Sequence, residues 1–560
     1  MSTQQLANQS NPPTQKEHIV AYLEIMDCEN KMQNPQDSDL LLAQLAWIYN
    51  DVMKWPEQVK AGGHSDITVK IFSHNVLISM ETGDDNHYPD NCYTVAKFCA
   101  IFQTMALTYG LFLHGAITVG KFASGKLQPD EKDNQAFFVY GEALVNAHSI
   151  AIASSLPRII IDKCIFRNAS PEDLLKNETL AEMYLQDEDG EYFLNPFRAF
   201  KSFKTEYKSF ITNIIKEIRE ILLSEYAKTL FDKNISAGKH YFTLNLFNKF
   251  CSQQKEHESL QIPVKFFDIP WQALNKPRAE LKTILDKKPP QSFTPPQQSR
   301  HIVAVLDFLG ASNKMTSSAD SDDFLRTIGD IYAEMTNFIL ANNMFNAWFA
   351  QTKTNEIKVQ IFSDNVVLAK EYQKDTFVAD CRDIFFTCSL FQICALMYQI
   401  PLRGAITCGN FCKNELFVYG DTFVKAHKME SQMAIYPRII VDKDILALSN
   451  EISKINAVSW DKETTLIKQD FDGEWFVRYS YCSPSSGKQS FSWETLVKMR
   501  YGIIKAFESS PRNPSVRQKY CWLAKNFNEF CKEYACDDLA IELNVNGEPL
   551  ILENIEVSHE

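Results

Sequence analysis

The amino-acid sequence contains the same series of motifs twice, and this duplication constrains the fold more than any other feature. H-I-V-A-Y-L-E near the start is matched by H-I-V-A-V-L-D near the middle, and further motifs follow both in the same order. The matched motifs begin at His18 and His301, Ile67 and Ile357, His114 and Arg403, Phe138 and Phe417, and Leu156 and Tyr436. Chance does not produce such an ordered series, so the sequence predicts two copies of one domain.

Each copy is predicted to continue into a helical extension. D-G-E-Y-F from Asp189 is matched by D-G-E-W-F from Asp472, and L-F-N-K-F-C from Leu246 is matched by N-F-N-E-F-C from Asn526. Apolar residues at helical spacing lie between these motifs. The segment 287–298 between the copies, K-K-P-P-Q-S-F-T-P-P-Q-Q, has the composition of a semi-rigid linker.

The order of secondary structure within each copy indicates an α+β domain. In the second copy we expect a strand at 303–306, a helix at 324–340, a β-hairpin at 358–368 and a buried helix at 381–398. A further strand, helix and strand follow them. This alternation suits a ferredoxin-like α+β palm.

Composition limits the kinds of partner that the protein can bind and the cellular compartment that we expect for it. A net charge of −13 argues against a general nucleic-acid binder, because phosphate binding requires a basic surface. No run of about 18 apolar residues is present, so we expect no membrane partner. The N-terminus lacks the apolar core of a signal peptide. Cys381, Cys388 and Cys394 lie in apolar sequence typical of reduced core thiols. The sequence predicts a soluble, cytoplasmic protein.

Two acidic residues of the second copy stand where a metal ion could bind. Asp307 follows the apolar run V-A-V-L at a strand end, and Asp364 lies in I-F-S-D-N at the expected hairpin tip. Mg²⁺ takes one or two carboxylates together with substrate phosphates, so the pair predicts a magnesium or manganese site. Turn chemistry is the alternative explanation for each aspartate taken alone.

The stretch 402–442 carries the most specific motif of the second copy. It includes L-R-G-A-I-T-C-G-N-F and F-V-Y-G-D-T-F-V-K-A-H-K-M-E-S. The Gly-Asp-Thr step predicts a helix start with Asp421 or Thr422 as N-cap. The stretch resembles the class III nucleotide cyclases (adenylate and guanylate cyclases), which carry Gly-Asp-Thr-Val-Asn-x-Ala-x-Arg-Met-Glu-Ser in the catalytic domain. Val424 and Lys428 stand where that motif has its Asn and Arg.

The resemblance implies roles for the two aspartates. Cyclases of this class place two metal aspartates at the matching strand end and hairpin tip, so Asp307 and Asp364 would hold Mg²⁺ or Mn²⁺. In the first copy Glu24 takes the place of Asp307, and His74 takes that of Asp364. A carboxylate beside a histidine suits a softer ion better than Mg²⁺. The first copy is therefore interpreted as a degenerate partner domain.

The same resemblance implies one active site between the two copies, which would pair as a pseudo-dimer. Lys70 matches the family's base-reading lysine, and Asn146 lies one place beyond its asparagine. Phe138 takes the place of an acidic base-reading residue, and Ser149 that of the transition-state arginine. The alternative explanation for Lys70 is a charged residue on the solvent-exposed face of a strand, and that for Asn146 is an amide on a helix surface.

Two basic residues of the second copy are candidates for catalytic contacts with phosphate. Arg403 and Lys428 are cations, and cations stabilise a pyrophosphate leaving group. Each is also explained as the partner of a surface salt bridge.

The sequence thus favours a metal-dependent nucleotide cyclase that converts a nucleoside triphosphate to a 3′,5′-cyclic monophosphate and pyrophosphate. The alternative is a catalytically inactive nucleotide-binding or regulatory module that signals through its helical extensions, and the missing Asn and Arg favour it. A palm-type polymerase shares the two carboxylates but carries a Gly-Gly-Asp hairpin that this chain lacks. The base and the formation of a homodimer are left open.

These assignments predict a division of the chain. It comprises a disordered N-terminus at 1–17, a degenerate cyclase-like domain at 18–166, a helical extension at 167–286, a Pro-rich linker at 287–300, a cyclase-like domain with the metal aspartates at 301–448, and a second helical extension at 449–560.

Overall fold

The computed structural model describes about two thirds of the chain. The described residues are 15–28, 31–32, 34–53, 67–126, 137–167, 183–187, 189–202, 208–231, 237–254, 257–262, 295–311, 323–324, 326–335, 356–362, 365–414, 416–456, 466–479, 493–510, 512–533, 536–544 and 547–549. They belong to two compact units. The N-terminal unit contains 15–122 and 141–297, and the C-terminal unit contains 123–140 and 298–560.

The N-terminal unit is built on a mixed sheet with the strand order β2-β3-β1-β4-β6-β8-β7. Its strands are β1 (Lys16–Ile25), β2 (Thr68–Phe72), β3 (Asn75–Glu81), β4 (Leu113–Lys126, whose end passes into the other unit), β6 (Ile159–Ile161), β7 (Tyr184–Gln186) and β8 (Tyr192–Leu194). Its helices are α1 (Pro35–Met53), α2 (Tyr88–Leu107), α3 (Glu142–Ala153), α4 (Lys208–Phe231) and α5 (Ala237–Ser252).

The C-terminal unit repeats this sheet with the order β10-β11-β9-β12-β14-β16-β15. Its strands are β9 (Ser299–Phe308), β10 (Lys358–Phe362), β11 (Asn365–Glu371), β12 (Leu402–Lys413), β13 (Phe417–Tyr419), β14 (Ile439–Val441), β15 (Ile467–Gln469) and β16 (Trp475–Val477). Its helices are α6 (Phe377–Met397), α7 (Asp421–Met433), α8 (Lys443–Asn456), α9 (Trp493–Glu508) and α10 (Pro514–Glu533).

The two strand orders confirm that the duplicated motifs encode duplicated structure. In each unit the first strand is flanked on both sides by antiparallel neighbours, and the crossover to the fifth strand of the order is parallel. In the N-terminal unit a strand, a helix, a hairpin, a helix and a strand follow one another in the order βαββαβ. Each unit is therefore an α+β fold with a helical extension.

One segment of the first copy lies in the C-terminal unit. Strand β5 (Phe137–Tyr140) pairs in parallel with β10, where Phe138 lies opposite Ile361. The sequence division, which assigned 18–166 to one domain, did not anticipate this arrangement. Its physical reason is that β5 satisfies the backbone groups along the edge of β10.

Most predicted elements occur close to their expected positions. The expected buried helix is α6, and its three cysteines are buried. The predicted hairpin is formed by β10 and β11. Of the predicted helix at 324–340, the described residues up to 335 are helical, and residues 336–340 lie outside the described part of the chain. Strand β1 begins at Lys16, inside the predicted disordered N-terminus. Within the described ranges, no helix has the length and apolar content required to cross a membrane.

The start of α7 differs from the predicted cap. Gly420 is the N-cap residue, and neither Asp421 nor Thr422 caps the helix, because both already belong to it. Gly420 has a φ of +150°, and a Cβ atom there would meet the backbone oxygen of Asn410. Only glycine fits this close approach of the chain to β12.

We expect Gly420→Ala to lower the free energy of unfolding by about 2 kcal/mol or more, since it adds backbone strain to a clash with a backbone atom. Chemical denaturation measures the loss. Gly473→Ala is the matched control, because Gly473 also has a positive φ, of +85°, but has open space around it. An equal loss in both variants would contradict the role assigned to the close approach.

Candidate functional site

Asp307 lies at the end of a buried strand, between the two neighbouring strands. Residues 302–306 of β9 are fully buried, whereas the Asp307 side chain is 14% exposed. Asp307 is opposite Asn365 of β11 on one side and Arg403 of β12 on the other. The strand register therefore places this carboxylate beside the beginning of β11 and within reach of Arg403.

Arg403 joins two carboxylates. Its Nε donates a hydrogen bond to Oδ2 of Asp307 over 2.9 Å and lies 2.7 Å from Oε1 of Glu430. Glu430 is on α7, and its side chain is only 3% exposed. Arg403 is thus a salt-bridge partner, but the bridge is half-buried rather than on the surface, and it contains the predicted metal aspartate.

Lys519 of α10 completes what we call the Asp307 cluster (Asp307, Arg403, Glu430 and Lys519). Burial and the positive charge of Arg403 lower the pKa of Lys519, while Asp307 and Glu430 act in the opposite direction. The cluster therefore combines two carboxylates with two cationic side chains. The carboxylates could pair with a metal ion, and the cationic side chains could pair with an anionic ligand bound to that ion.

The other predicted site residues are distributed over both units. Asp364 lies outside the described residues. Lys428 is half-buried on α7, two residues before Glu430. Lys70 on β2 and Asn146 on α3 are half-buried in the N-terminal unit, and their base-reading roles stay predictions. Phe138 is in the C-terminal unit and is 1% exposed, and its ring centroid lies 5.4 Å from that of Tyr140. The ring is therefore buried in the core of this structure.

The N-terminal unit places Glu24 at the position of Asp307. Oε1 of Glu24 lies 3.4 Å from Nε2 of His74, and Oε2 lies 3.6 Å from Nε2 of His114. Burial of the Glu24 carboxyl raises its pKa, but the interactions with His114 and His74 outweigh burial and hold the pKa well below its usual range. In the part of the chain that the structure describes, no group of three or more His, Cys, Asp or Glu side chains could hold a metal ion.

We expect Glu24→Gln to lower the free energy of unfolding by about 1.5–3 kcal/mol near neutral pH, because the interactions of His74 and His114 with a charged carboxylate are lost. A carboxyl whose pKa is depressed by folding stabilises above its unfolded pKa, and this contribution disappears as pH falls through the folded pKa. The difference between wild type and variant should therefore shrink below a pH of about 4.5. Urea denaturation at several pH values measures it. Glu81→Gln removes an exposed ion pair with Lys16 and should show no such trend.

Sequence reasoning missed Glu430 and Lys519. Glu430 lies in the K-M-E-S part of the motif, so the motif itself was a signal for it. Lys519 lies in the extension, more than 200 residues from Asp307, and no local pattern marks it. Only packing of α10 brings its charge to the cluster.

Comparisons with known proteins give a structural likeness and nothing closer. No model of a protein family matches the chain, and no curated protein matches it. A class III adenylyl cyclase-like ATP-binding protein from Pseudomonas aeruginosa is similar over 78% of this chain and 85% of its own, with 10% identity and a TM-score of 0.41. The adenylyl cyclase CyaB from P. aeruginosa covers 32% of this chain and 93% of its own, with 12% identity and a TM-score of 0.24.

The guanylyl cyclase Cya2 gives a comparable result. It covers 33% of this chain and 93% of its own, with 10% identity and a TM-score of 0.24. All three similarities have identities of 10–12% and TM-scores below 0.5. A similarity of this size says nothing about activity.

Proposed function

We propose that the C-terminal unit is a metal-dependent nucleotide cyclase, which binds a nucleoside triphosphate and forms a 3′,5′-cyclic nucleotide and pyrophosphate. The observation that carries the proposal is the position of Asp307, a carboxylate at a strand end that the sheet places beside the beginning of β11. The Gly-Asp-Thr motif supports it, because that motif and the aspartates occur in the order found in class III cyclases.

The two predicted ligands are carboxylates, the side chains that a hard divalent ion prefers. Mg²⁺ requires only one or two carboxylates when substrate phosphates supply further oxygen ligands. Asp307 would be one carboxylate ligand, and Asp364 would be the second. A bound Mg²⁺ or Mn²⁺ would lower the pKa of an attacking hydroxyl and stabilise the negative charge on the leaving group.

The side chains around Asp307 have separable roles in this proposal. Arg403 orients the carboxylate through its 2.9 Å hydrogen bond. Oε1 of Glu430 lies 2.7 Å from the same Nε, so its charge would keep Arg403 in place when a ligand approaches Asp307. Lys519 and Lys428 would neutralise phosphate oxygens as negative charge develops on pyrophosphate.

A second candidate function is nucleotide binding without turnover. The specific observation that favours it is the pairing of Arg403 with both Asp307 and Glu430, since a carboxylate already neutralised by a guanidinium has less need of a metal ion. The replacement of the motif's Asn and Arg by Val424 and Lys428 points in the same direction.

One experiment separates the two functions. The purified full-length chain is incubated with the four ribonucleoside triphosphates and Mn²⁺, and products are identified by mass spectrometry. Formation of a cyclic nucleotide together with pyrophosphate supports the cyclase. Saturable binding of a triphosphate in calorimetry without pyrophosphate release would instead establish the binding module, and neither binding nor turnover would reject both.

A further inference from the structure

The N-terminal unit contains a cavity of about 390 Å³ between the β7–β8 hairpin and α5. This volume lies within the range of small-molecule sites, roughly 300–1,000 Å³. Its walls combine apolar side chains with the polar and charged side chains of Gln186, Asp187, Asn245 and Lys249. The side chains used in the argument are Leu156, Asp187, Phe193 and Phe242.

The internal duplication provides a filled version of the same place. Asn248 of α5 exchanges two hydrogen bonds with the backbone of Ile262, and Asn528 of α10 makes the same pair with Ile541. The two helices therefore occupy matching positions in their units. The sequence repeat then aligns Phe242 with Trp522.

In the C-terminal unit aromatic side chains occupy most of this space, and the matching pocket beside Phe476 and Asn526 has a volume of only about 30 Å³. The rings of Trp522 and Tyr436 stack with centroids 5.7 Å apart and an interplanar angle of 22°. The edge of the Trp522 ring meets Phe476 at 5.5 Å, and its Nε1 donates a hydrogen bond to Asp470 over 2.9 Å. The Arg438 guanidinium lies 5.8 Å from the same ring. An indole is thus held by stacking, a carboxylate and a cation.

The N-terminal unit keeps this frame but lacks the aromatic pair. Arg158 forms an ion pair with Asp187 over 2.6 Å and lies 6.0 Å from the ring of Phe193, as their counterparts do in the other unit. Leu156 replaces Tyr436, and Phe242 replaces Trp522. Phe242 has no N–H to donate, and the two replacements remove aromatic volume from the space that the cavity occupies.

We infer that this cavity binds a small planar aromatic molecule with a ring N–H, of the chemical class of indoles. The ring lies against Phe242 and Phe193, and its N–H donates to the carboxylate of Asp187. Charge complementarity supports this choice, because the carboxylate accepts from the N–H while the Arg158 guanidinium is held close by. The inference is independent of the proposed cyclase activity, since every residue involved belongs to the N-terminal unit.

Calorimetric titration of indole into the full-length chain tests the inference. We expect one site per chain, and N-methylindole should bind about tenfold more weakly because it cannot donate to a charged acceptor. Phe242→Trp provides the ring covalently and should remove the binding. Leu156→Tyr is a second filling variant in case the first does not fold, as judged by thermal unfolding.

A reciprocal variant gives the matched control. Tyr436→Leu combined with Trp522→Phe recreates the cavity in the C-terminal unit and should raise the stoichiometry from one indole to two. Absence of saturable indole binding would overturn the inference, as would equal affinity for N-methylindole or unchanged binding in the filling variants.

Discussion

Asp307→Asn is expected to reduce Mn²⁺-dependent formation of cyclic nucleotide by about 100-fold or more, since a neutral amide is a poor ligand for a hard divalent ion. The change preserves the size of the side chain. Arg403 keeps Glu430 as a carboxylate partner at 2.7 Å, so the fold should survive the change. Initial rates at saturating triphosphate, with pyrophosphate release as an independent readout, measure the effect.

The control for this variant is Asp323→Asn. Asp323 is also in the C-terminal unit, but its side chain is 83% exposed and pairs with an exposed arginine, Arg326. Its replacement should leave the rate unchanged. Thermal unfolding of both variants distinguishes loss of chemistry from loss of structure. An unchanged product yield from folded Asp307→Asn protein would exclude Asp307 as a metal ligand and with it the proposed cyclase site.

Arg438→Met is expected to lower the free energy of unfolding of the C-terminal unit by about 3–5 kcal/mol, because it removes one member of a buried ion-paired group. The Arg438 side chain is fully buried and donates to Asp470 and Asp472. It also lies 5.3 Å from the ring of Tyr436. Without the guanidinium, Asp470, whose side chain is 10% exposed, loses its cation.

Urea denaturation followed by tryptophan fluorescence measures this loss. Arg326→Met serves as the control, because the Arg326–Asp323 pair is exposed on both sides and should contribute less than about 1 kcal/mol. A loss in Arg438→Met no larger than in the control would mean that the aromatic packing around Trp522, rather than the ion pair, stabilises this part of the unit.

The Asp307 cluster illustrates how far the sequence defines the candidate site. The sequence placed Asp307 at a strand end, which β9 shows, and the structure places Arg403 at the start of β12. Sequence reasoning treated Arg403 as either a phosphate contact or a salt-bridge partner, and the structure shows the salt bridge. Glu430 and Lys519 could be assigned to the cluster only from the packing of α7 and α10. The pattern of apolar residues along one helix does not specify which distant residues that helix packs against.

The cavity beside α5 illustrates the same division between sequence and structure. The repeat alone aligns Leu156 with Tyr436, but the consequence of losing an aromatic ring depends on the atoms that surround it. The hairpin β7–β8 and α5 leave a cavity of about 390 Å³ between them, whereas the matching pocket of the C-terminal unit has about 30 Å³. No one-dimensional pattern encodes that outcome.

The sequence by itself determined the duplication, the α+β elements of each copy and the strand-end position of Asp307, because each depends on local periodicity or on the order of motifs. Only the tertiary structure decided that β5 pairs with β10, that Glu430 and Lys519 join Asp307 and Arg403, and that one copy retains a cavity where the other is filled. These features depend on contacts between residues far apart in the chain, and such contacts form when whole elements pack to satisfy backbone groups and bury apolar surface.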